Sequence, residues 1–487
     1  MNSIGRLLLA LLFCLGLSWV SAAPRNIVMF VADDHGRDAG CFGNPVIQTP
    51  YLDRLAAGST IFDQAFCTTA SCSASRSVIL TGLHNHANGQ FGHEHAYNNF
   101  HSYPGIRSLP VRLAEAGYRT ARIGKFHVQP EAVYRFETVL GGNQGGSRNP
   151  VSMAERCRDF LAAKDDRPFF LYFCTSDPHR GGGFANDLPG KPDYFGNHAR
   201  YEGVNEIKYD PAKVIVPPWL PDTPESRAEL AQYYQSVSRV DQGIGRLVAI
   251  LKETGQWENT LFLYLSDNGA AFPGSKTTLY EPGMRLPLIV RIPDAPQTGV
   301  RNDALVSWVD LAPTILDFAG ALPDDERKPL RHRAVQAARP APNGFHGRSF
   351  LELIGRTAGD GRDEVFASHT FHEITMYYPM RVARTRQFKY ILNLAHQLPY
   401  PFASDLWEAP TWQSIHRSGA EFYGQRKVTD FLQRPREELY NVEADPFEAR
   451  NLAADPEFAR TLETLRTRAK HFMETTGDPW VVKWDYE

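Results

Sequence analysis

The stretch Asn26-Ile27-Val28-Met29-Phe30-Val31-Ala32-Asp33-Asp34 decides the fold. An uncharged run rich in β-branched and aromatic residues reads as a strand buried on both faces, the form that strands take in parallel sheets. Two acids follow at once, at the carboxyl end where open α/β sheets place their ligands. Residues 118–124, 169–173 and Thr260–Ser266 repeat the design, and 286–291 is another run of this kind. Helical patterns separate them. The longest carries Leu230, Val237, Ile244, Leu247 and Leu251 at helical spacing, between a Pro224-Glu225 start and a Gly255 stop. Together these predict a mostly parallel sheet wrapped in helices.

The other strand exits are charged as well. Lys125 and His127 follow 118–124, Asp177 and His179 follow 169–173, and Asp267-Asn268 follow Thr260–Ser266. Charged exits on one edge of a sheet point to one pocket. Adjacent carboxylates stay ionised in a partly dry site only where positive charge neutralises them. Asp33, Asp34, Asp267 and the amide oxygen of Asn268 make a set of hard oxygen donors, which suits Ca²⁺ or Mg²⁺ better than zinc. Even with a dication bound, such a site remains slightly negative. An anionic substrate there needs cations, which Arg76, Lys125, His127, His179 and Lys276 can supply.

A second informative stretch is Cys72-Ser73-Ala74-Ser75-Arg76-Ser77-Val78-Ile79-Leu80-Thr81-Gly82. It reads as a helix ending at Gly82 with a thiol at its N-terminus, where backbone N–H groups and the dipole favour anions. Arg76 adds a fixed positive charge one turn on.

Cys72-x-Ala74-x-Arg76 followed by Leu80-Thr81-Gly82 resembles the signature of the type I sulfatases, whose cysteine is oxidised to formylglycine. Ala74 stands where most members carry proline. Thr49-Pro50 with Leu52-Asp53-Arg54-Leu55, Gly269 through Lys276 to Tyr280-Glu281-Pro282-Gly283, and Glu438-Leu439-Tyr440-Asn441 with Asp445-Pro446 and Asn451-Leu452 are similar to further motifs of that family. Arg167-Pro168-Phe169-Phe170-Leu171-Tyr172, Asp177-Pro178-His179-Arg180, His372-Glu373-Ile374-Thr375-Met376 and Asp478-Pro479-Trp480 resemble its sulfamidase branch, although Lys276 stands where that branch carries arginine.

The resemblance implies an α/β fold: an alkaline-phosphatase-like three-layer sandwich with a mostly parallel central sheet, plus a smaller C-terminal α+β domain. It implies a hydrolase that removes sulfate from a sugar, N-sulfoglucosamine of heparan-type glycans above all, through hydrated formylglycine at position 72. In that reading Cys72, Arg76, Lys125, His127, His179 and Lys276 are catalytic, with His179 or Lys276 as general acid. Asp33, Asp34, Cys72, Asp267 and Asn268 hold Ca²⁺, or alternatively Mg²⁺, and His86, Asn88, His372 and Glu373 bind substrate. Its partners are a sulfated saccharide, a formylglycine-generating or anaerobic sulfatase-maturing enzyme and, as in many members, a second copy in a homodimer. The alternatives are an O-sulfatase on another glycan or aryl sulfate, a phosphate or phosphonate ester hydrolase of the same superfold, and a glycan-binding pseudo-enzyme with unmodified Cys72.

The rest of the chain bounds these readings. Its 487 residues suffice for one large and one smaller domain, divided here as 23–370 and 371–487. A net charge of -3 gives no global attraction to nucleic acid. Residues 1–22 read as a secretory signal peptide, with Arg6, the apolar run 7–17 and the small-residue end Val20-Ser21-Ala22, so the chain is expected to be secreted or periplasmic. No other run is long and apolar enough to span a membrane. Losing the signal removes Cys14 and leaves Cys41, Cys67, Cys72, Cys157 and Cys174, an odd set in which Cys72 has a role of its own. The other four either form two disulfides or stay reduced. Residues 324–343, rich in Arg, Pro and Ala, read as a mobile insertion. His84, His86, His93 and His95 form either a loop at the pocket rim or a zinc site.

Overall fold

The structure, a computed structural model, describes residues 25–141, 148–181, 193–331 and 343–484. The expected signal peptide lies outside the described residues, as do 332–342 of the expected insertion.

The central sheet contains β1 (Asn26–Ala32), β2 (Thr60–Phe66), β3 (Arg119–Gly124), β4 (Thr138–Leu140), β5 (Phe169–Cys174), β6 (Thr260–Ser266), β7 (Leu288–Arg291) and β8 (Val300–Ser307). Their spatial order is β4-β3-β5-β1-β6-β7-β2-β8. β1 sits at the middle, parallel to β5 on one side and β6 on the other. Its side chains alternate between two cores: Ile27, Met29 and Val31 enter one, while Val28, Phe30 and Ala32 enter the other. Burial on both faces explains why the sequence shows an unbroken apolar run instead of an alternation.

Helices cover each face. Cys72–Thr81 and Leu311–Phe318 pack on the first, and Pro50–Ala57 and Pro150–Arg156 on the second. The Pro224–Glu253 helix serves both cores: Leu230, Tyr233 and Val237 join the first, Ile244, Leu247 and Leu251 the second. The Thr223 side chain caps it by accepting from the Ser226 amide.

One strand departs from the expected parallel arrangement. β7 runs antiparallel to both β6 and β2. The chain between β6 and β7 contains only the short Glu281–Met284 helix and does not cross back over the sheet, so it re-enters from the edge it left. Asp267, Asn268 and Lys276 consequently share one loop at the carboxyl edge of β6.

A smaller antiparallel sheet follows, built from β9 (Glu364–Phe371), β10 (Tyr377–Thr385) and β11 (Phe388–Asn393). After a two-stranded ribbon of β12 (Phe422–Tyr423) and β13 (Arg426–Lys427) comes β14 (Glu437–Asn441), which completes the order β14-β11-β10-β9. One face of this sheet carries Met380, Val382 and Ile391 into the main core, and the other packs Tyr390 and Leu392 against the Ala459–Thr475 helix. All five cysteines of the described residues are free, and every one but Cys41 is buried. The reduced alternative therefore holds among the described residues. No described helix is long and apolar enough to cross a membrane.

Candidate active site

β3, β5, β1 and β6 are consecutive parallel neighbours, so their charged exits meet along one edge. Gly124 ends β3 at φ +83, and a Cβ there would sit 1.9 Å from the Cys174 carbonyl oxygen of β5. Only glycine lets the two strand ends close up enough to bring Lys125 beside Asp33. Asp34 and His127 hold left-handed backbone at φ 62 and 61, a conformation that non-glycine residues seldom adopt and that gathers at functional sites.

β2 leads into the Cys72–Thr81 helix, which is buried along its whole length and closed by Gly82 at φ 66. Cys72 opens it with Sγ 3.6 Å from Asp34 Oδ1. One turn on, the fully buried Arg76 donates from Nε to Asp267 Oδ2 at 2.8 Å and from Nη2 to Asp33 Oδ1 at 3.3 Å. Lys125 Nζ donates to Asp33 Oδ2 at 2.6 Å. Asp267 Oδ1 accepts from the amides of Asp34 at 3.1 Å and Asn268 at 2.9 Å. Asn268 Nδ2 donates to Asp34 Oδ1 at 2.7 Å. Lys276 Nζ donates to Asp34 Oδ2 at 2.9 Å and contacts His179 Nε2 at 3.1 Å. Asp33, Asp34, Cys72, Arg76, Lys125, His179, Asp267, Asn268 and Lys276 thus form one continuous set of contacts.

Electrostatics follow from burial and pairing. Burial alone pushes the Asp33 carboxyl up, but Lys125, His179 and Arg76 override it and hold the group well below the usual range. Asp267 is pushed up to about 7, chiefly by burial, against the pull of Arg76. Burial depresses Lys276, yet Asp34 and Asp405 more than compensate and keep it firmly protonated. His179 falls to about 4 through burial and the nearby lysines 276 and 125, so its ring is neutral at neutral pH.

The chemistry of the donor set suits a metal ion. Ligand atoms of Asp33, Asp34 and Cys72 lie within 4.8 Å of one another. Asn268 Oδ1 is buried and has no hydrogen-bond partner among the described residues. Buried carboxylates beside an orphaned carbonyl oxygen fit a hard divalent cation.

The histidine motifs divide. His84 and His86 stack at 5.5 Å and join His346. His93 and His95 instead join His127: His95 Nδ1 lies 2.6 Å from His127 Nε2, and His93 Nε2 lies 2.9 Å from His372 Nε2. No zinc site of His84, His86, His93 and His95 forms, because the rings belong to separate clusters. His93 and His95 each face His127 nearly in parallel, at 21° and 29°. Ring nitrogens of His93, His95 and His127 nevertheless lie within 4.8 Å of one another, so the motif's second pair gathers round His127 instead of round His84 and His86.

The residues expected at the sugar are placed differently from one another. His86 lies at the seam between the sheets, with Nδ1 2.9 Å from Ser368 Oγ and Nε2 2.9 Å from Thr476 Oγ1. Asn88 is fully buried, donating to Ser77 Oγ at 2.9 Å and accepting from the Gln90 amide at 2.8 Å. Their polar atoms are taken up by protein. His372 does lie beside the set, with Nδ1 3.0 Å from Ser71 Oγ just before the Cys72–Thr81 helix. Glu373 uses Oε1 to accept from the Ser404 hydroxyl at 2.6 Å. The sequence reading missed Asp405, whose Oδ2 accepts from Lys276 Nζ at 2.9 Å. It stands on a short turn without motif, and only the fold brings it to the pocket.

Comparison with known proteins places this geometry. The sulfatase family model matches residues 25–321. The human N-sulphoglucosamine sulphohydrolase is 39% identical over 97% of this chain and 94% of its own length. The chain belongs to the sulfatase family. It is therefore a hydrolase of sulfuric ester or sulfamate groups, in a family that generally uses formylglycine and a divalent metal. An N-acetylglucosamine-6-O-sulfatase of Bacteroides thetaiotaomicron is 26% identical over 90% of this chain and 84% of its own. Among solved structures, one in complex with its substrate D-glucosamine-2-N,6-O-disulfate matches at TM-score 0.63 and 22% identity, covering 94% of this chain and 99% of its own. A phosphonate monoester hydrolase of Agrobacterium radiobacter matches at TM-score 0.63 and 19% identity, covering 92% and 96%. The sulfatase's architecture is the alkaline-phosphatase-like sandwich with a smaller C-terminal antiparallel sheet.

Proposed function

We propose that the protein is an exported sulfohydrolase that removes the N-sulfate from glucosamine residues of heparan-type glycans. Full-length similarity to the human N-sulphoglucosamine sulphohydrolase carries the substrate assignment. The set of buried charges around residue 72 supports the chemistry.

Cys72 would be converted to formylglycine by a formylglycine-generating or anaerobic sulfatase-maturing enzyme. The hydrated aldehyde supplies one hydroxyl as nucleophile for sulfur and a second whose deprotonation later expels sulfate. Asp33, Asp34, Asp267 and Asn268, with residue 72, would hold Ca²⁺, or Mg²⁺ in its place, which when bound polarises a sulfate oxygen. Arg76 and Lys125 hold the acid set in place and add fixed positive charge where the sulfate dianion develops. His127, two residues beyond Lys125, sets its ring against His93 and His95. On the leaving-group side, neutral His179 accepts from the protonated Lys276 through Nε2, so the pair keeps a proton at that hydrogen bond. His372, at the edge of β9, bounds the sugar side.

Two results test this reading. Matured protein offered a panel of N-, 2-O- and 6-O-sulfated saccharides is expected to release sulfate from the N-sulfated member at least about 100-fold faster than from the others, a gap of about 3 kcal/mol. Equal rates, or preference for a 6-O-sulfate, would transfer the assignment to an O-sulfatase. Chelation is expected to stop turnover, and Ca²⁺ or Mg²⁺ to restore it. Full activity after exhaustive dialysis against chelator would remove the metal from the mechanism.

A further inference from the structure

Lys276 spends its three ammonium hydrogens on three acceptors: Asp34 Oδ2 at 2.9 Å, Asp405 Oδ2 at 2.9 Å and His179 Nε2 at 3.1 Å. Asp34 and His179 come from the central sheet, and Asp405 from the Ser404–Trp407 turn of the C-terminal part of the chain. Asp405 stands at the margin of the oxygen set around residue 72: ligand atoms of Asp34, His179 and Asp405 lie within 4.8 Å of one another. Its second oxygen, Oδ1, is buried and has no hydrogen-bond partner among the described residues. Burial raises the Asp405 carboxyl, but the neighbouring Lys276 ammonium above all outweighs it and holds the group below its usual range.

A fourth carboxylate beside a pocket for a sulfate dianion works against substrate binding unless something cationic meets it. One oxygen already meets an ammonium, that of Lys276. The other is aimed at nothing the protein supplies. The turn that carries it is built firmly, since Glu373 Oε1 accepts from both the Ser404 amide at 3.3 Å and the Ser404 hydroxyl at 2.6 Å.

We propose that Asp405 is a specificity residue that binds the departing amine as it becomes an ammonium ion, favouring sulfamates over sulfate esters. This rests on the N-sulfoglucosamine reading above. In sulfamate hydrolysis the S–N bond breaks with its electron pair on nitrogen. Overall, R–NH–SO₃⁻ and water give R–NH₃⁺ and SO₄²⁻: water supplies the oxygen gained by sulfur and both protons gained by nitrogen. Positive charge therefore appears on the leaving group, where a carboxylate stabilises it by a charge-assisted hydrogen bond. The alcohol released from an ester never becomes cationic and gains no such advantage. Asp405 and Lys276 thus take opposite charges: the lysine faces the substrate's negative charge, and the free carboxylate oxygen faces the positive charge created later.

The test uses matured full-length protein and its Asp405→Asn and Asp405→Glu variants. Calorimetry with D-glucosamine and N-acetyl-D-glucosamine reads the amine contact directly. Asp405→Asn is expected to weaken glucosamine binding about tenfold or more, to leave the uncharged N-acetyl sugar unchanged, and to be partly rescued by Asp405→Glu. In turnover, Asp405→Asn takes a partner from Lys276 and so lowers kcat on both substrates, but the loss on N-sulfoglucosamine is expected to exceed that on an aryl sulfate about tenfold or more. Unchanged glucosamine binding overturns the proposal. So does a proportionate loss on both substrates, which would reduce Asp405 to a support for Lys276. A wild-type protein that hydrolyses aryl sulfate but not N-sulfoglucosamine overturns the function proposed above, while the calorimetry still reads Asp405 independently.

Discussion

Replacing Cys72 with alanine is expected to lower kcat by at least about 10⁴-fold, the scale on which loss of a covalent nucleophile acts, while the protein still folds. The side chain is fully buried, and among the described residues its hydrogen-bond contact is the 3.6 Å approach to Asp34. Alanine keeps the first turn of the Cys72–Thr81 helix, and Arg76 remains tied to Asp33 and Asp267. Sulfate release and a thermal melt measured on the same sample separate the two effects. Turnover close to wild type would eliminate residue 72 as nucleophile. Intact-mass analysis of the peptide carrying residue 72 complements this: an aldehyde marks the mature enzyme, a persistent thiol an unmatured or non-catalytic protein.

The largest stability effect is expected at Arg381. Its guanidinium on β10 grips Asp478 with both arms, Nη2 to Oδ1 at 2.9 Å and Nε to Oδ2, and both side chains are fully buried. It also donates to the His369 carbonyl at 2.9 Å. Arg381→Leu strands a carboxylate in the interior and should cost about 3–5 kcal/mol, read as a lower denaturation midpoint. The double variant Arg381→Leu/Asp478→Leu should recover much of that loss, because no lone charge remains. A single variant as stable as wild type would contradict this account. Burial pushes the Asp478 carboxyl up, but Arg381 and His86 outweigh it and hold the group below its usual range. A depressed carboxyl contributes stability above the unfolded value of about 3.9 and loses it as pH falls through the folded value. The contribution is therefore complete at neutral pH and disappears in strong acid.

β1 and β6 were legible to the residue, since strands buried on both faces show as uncharged runs with abrupt polar ends. The charged exits were legible for the same reason. The direction of β7 was not, because apolar content is the same whichever way a strand runs and only the connection decides it. His86 and Asn88 have the residue types of sugar contacts, but their partners Ser368 and Thr476, or Ser77 and Gln90, are set by tertiary packing that a linear reading cannot see. Asp405 left no trace for a related reason. A lone acid in a polar turn looks like countless solvated ones, and its importance comes from a lysine 129 positions away.

The origin of that turn has an evolutionary consequence. The groups around residue 72 come from strand exits and the Cys72–Thr81 helix and are tied together by short charged contacts, so a change to any one of them disturbs the rest. The wall beside Lys276 is a brief turn held by Ser404 to Glu373, by Asp405 to Lys276 and by the buried Leu406. Changing that turn would let descendants trade one sugar nitrogen or oxygen for another while inheriting the same desulfation engine intact.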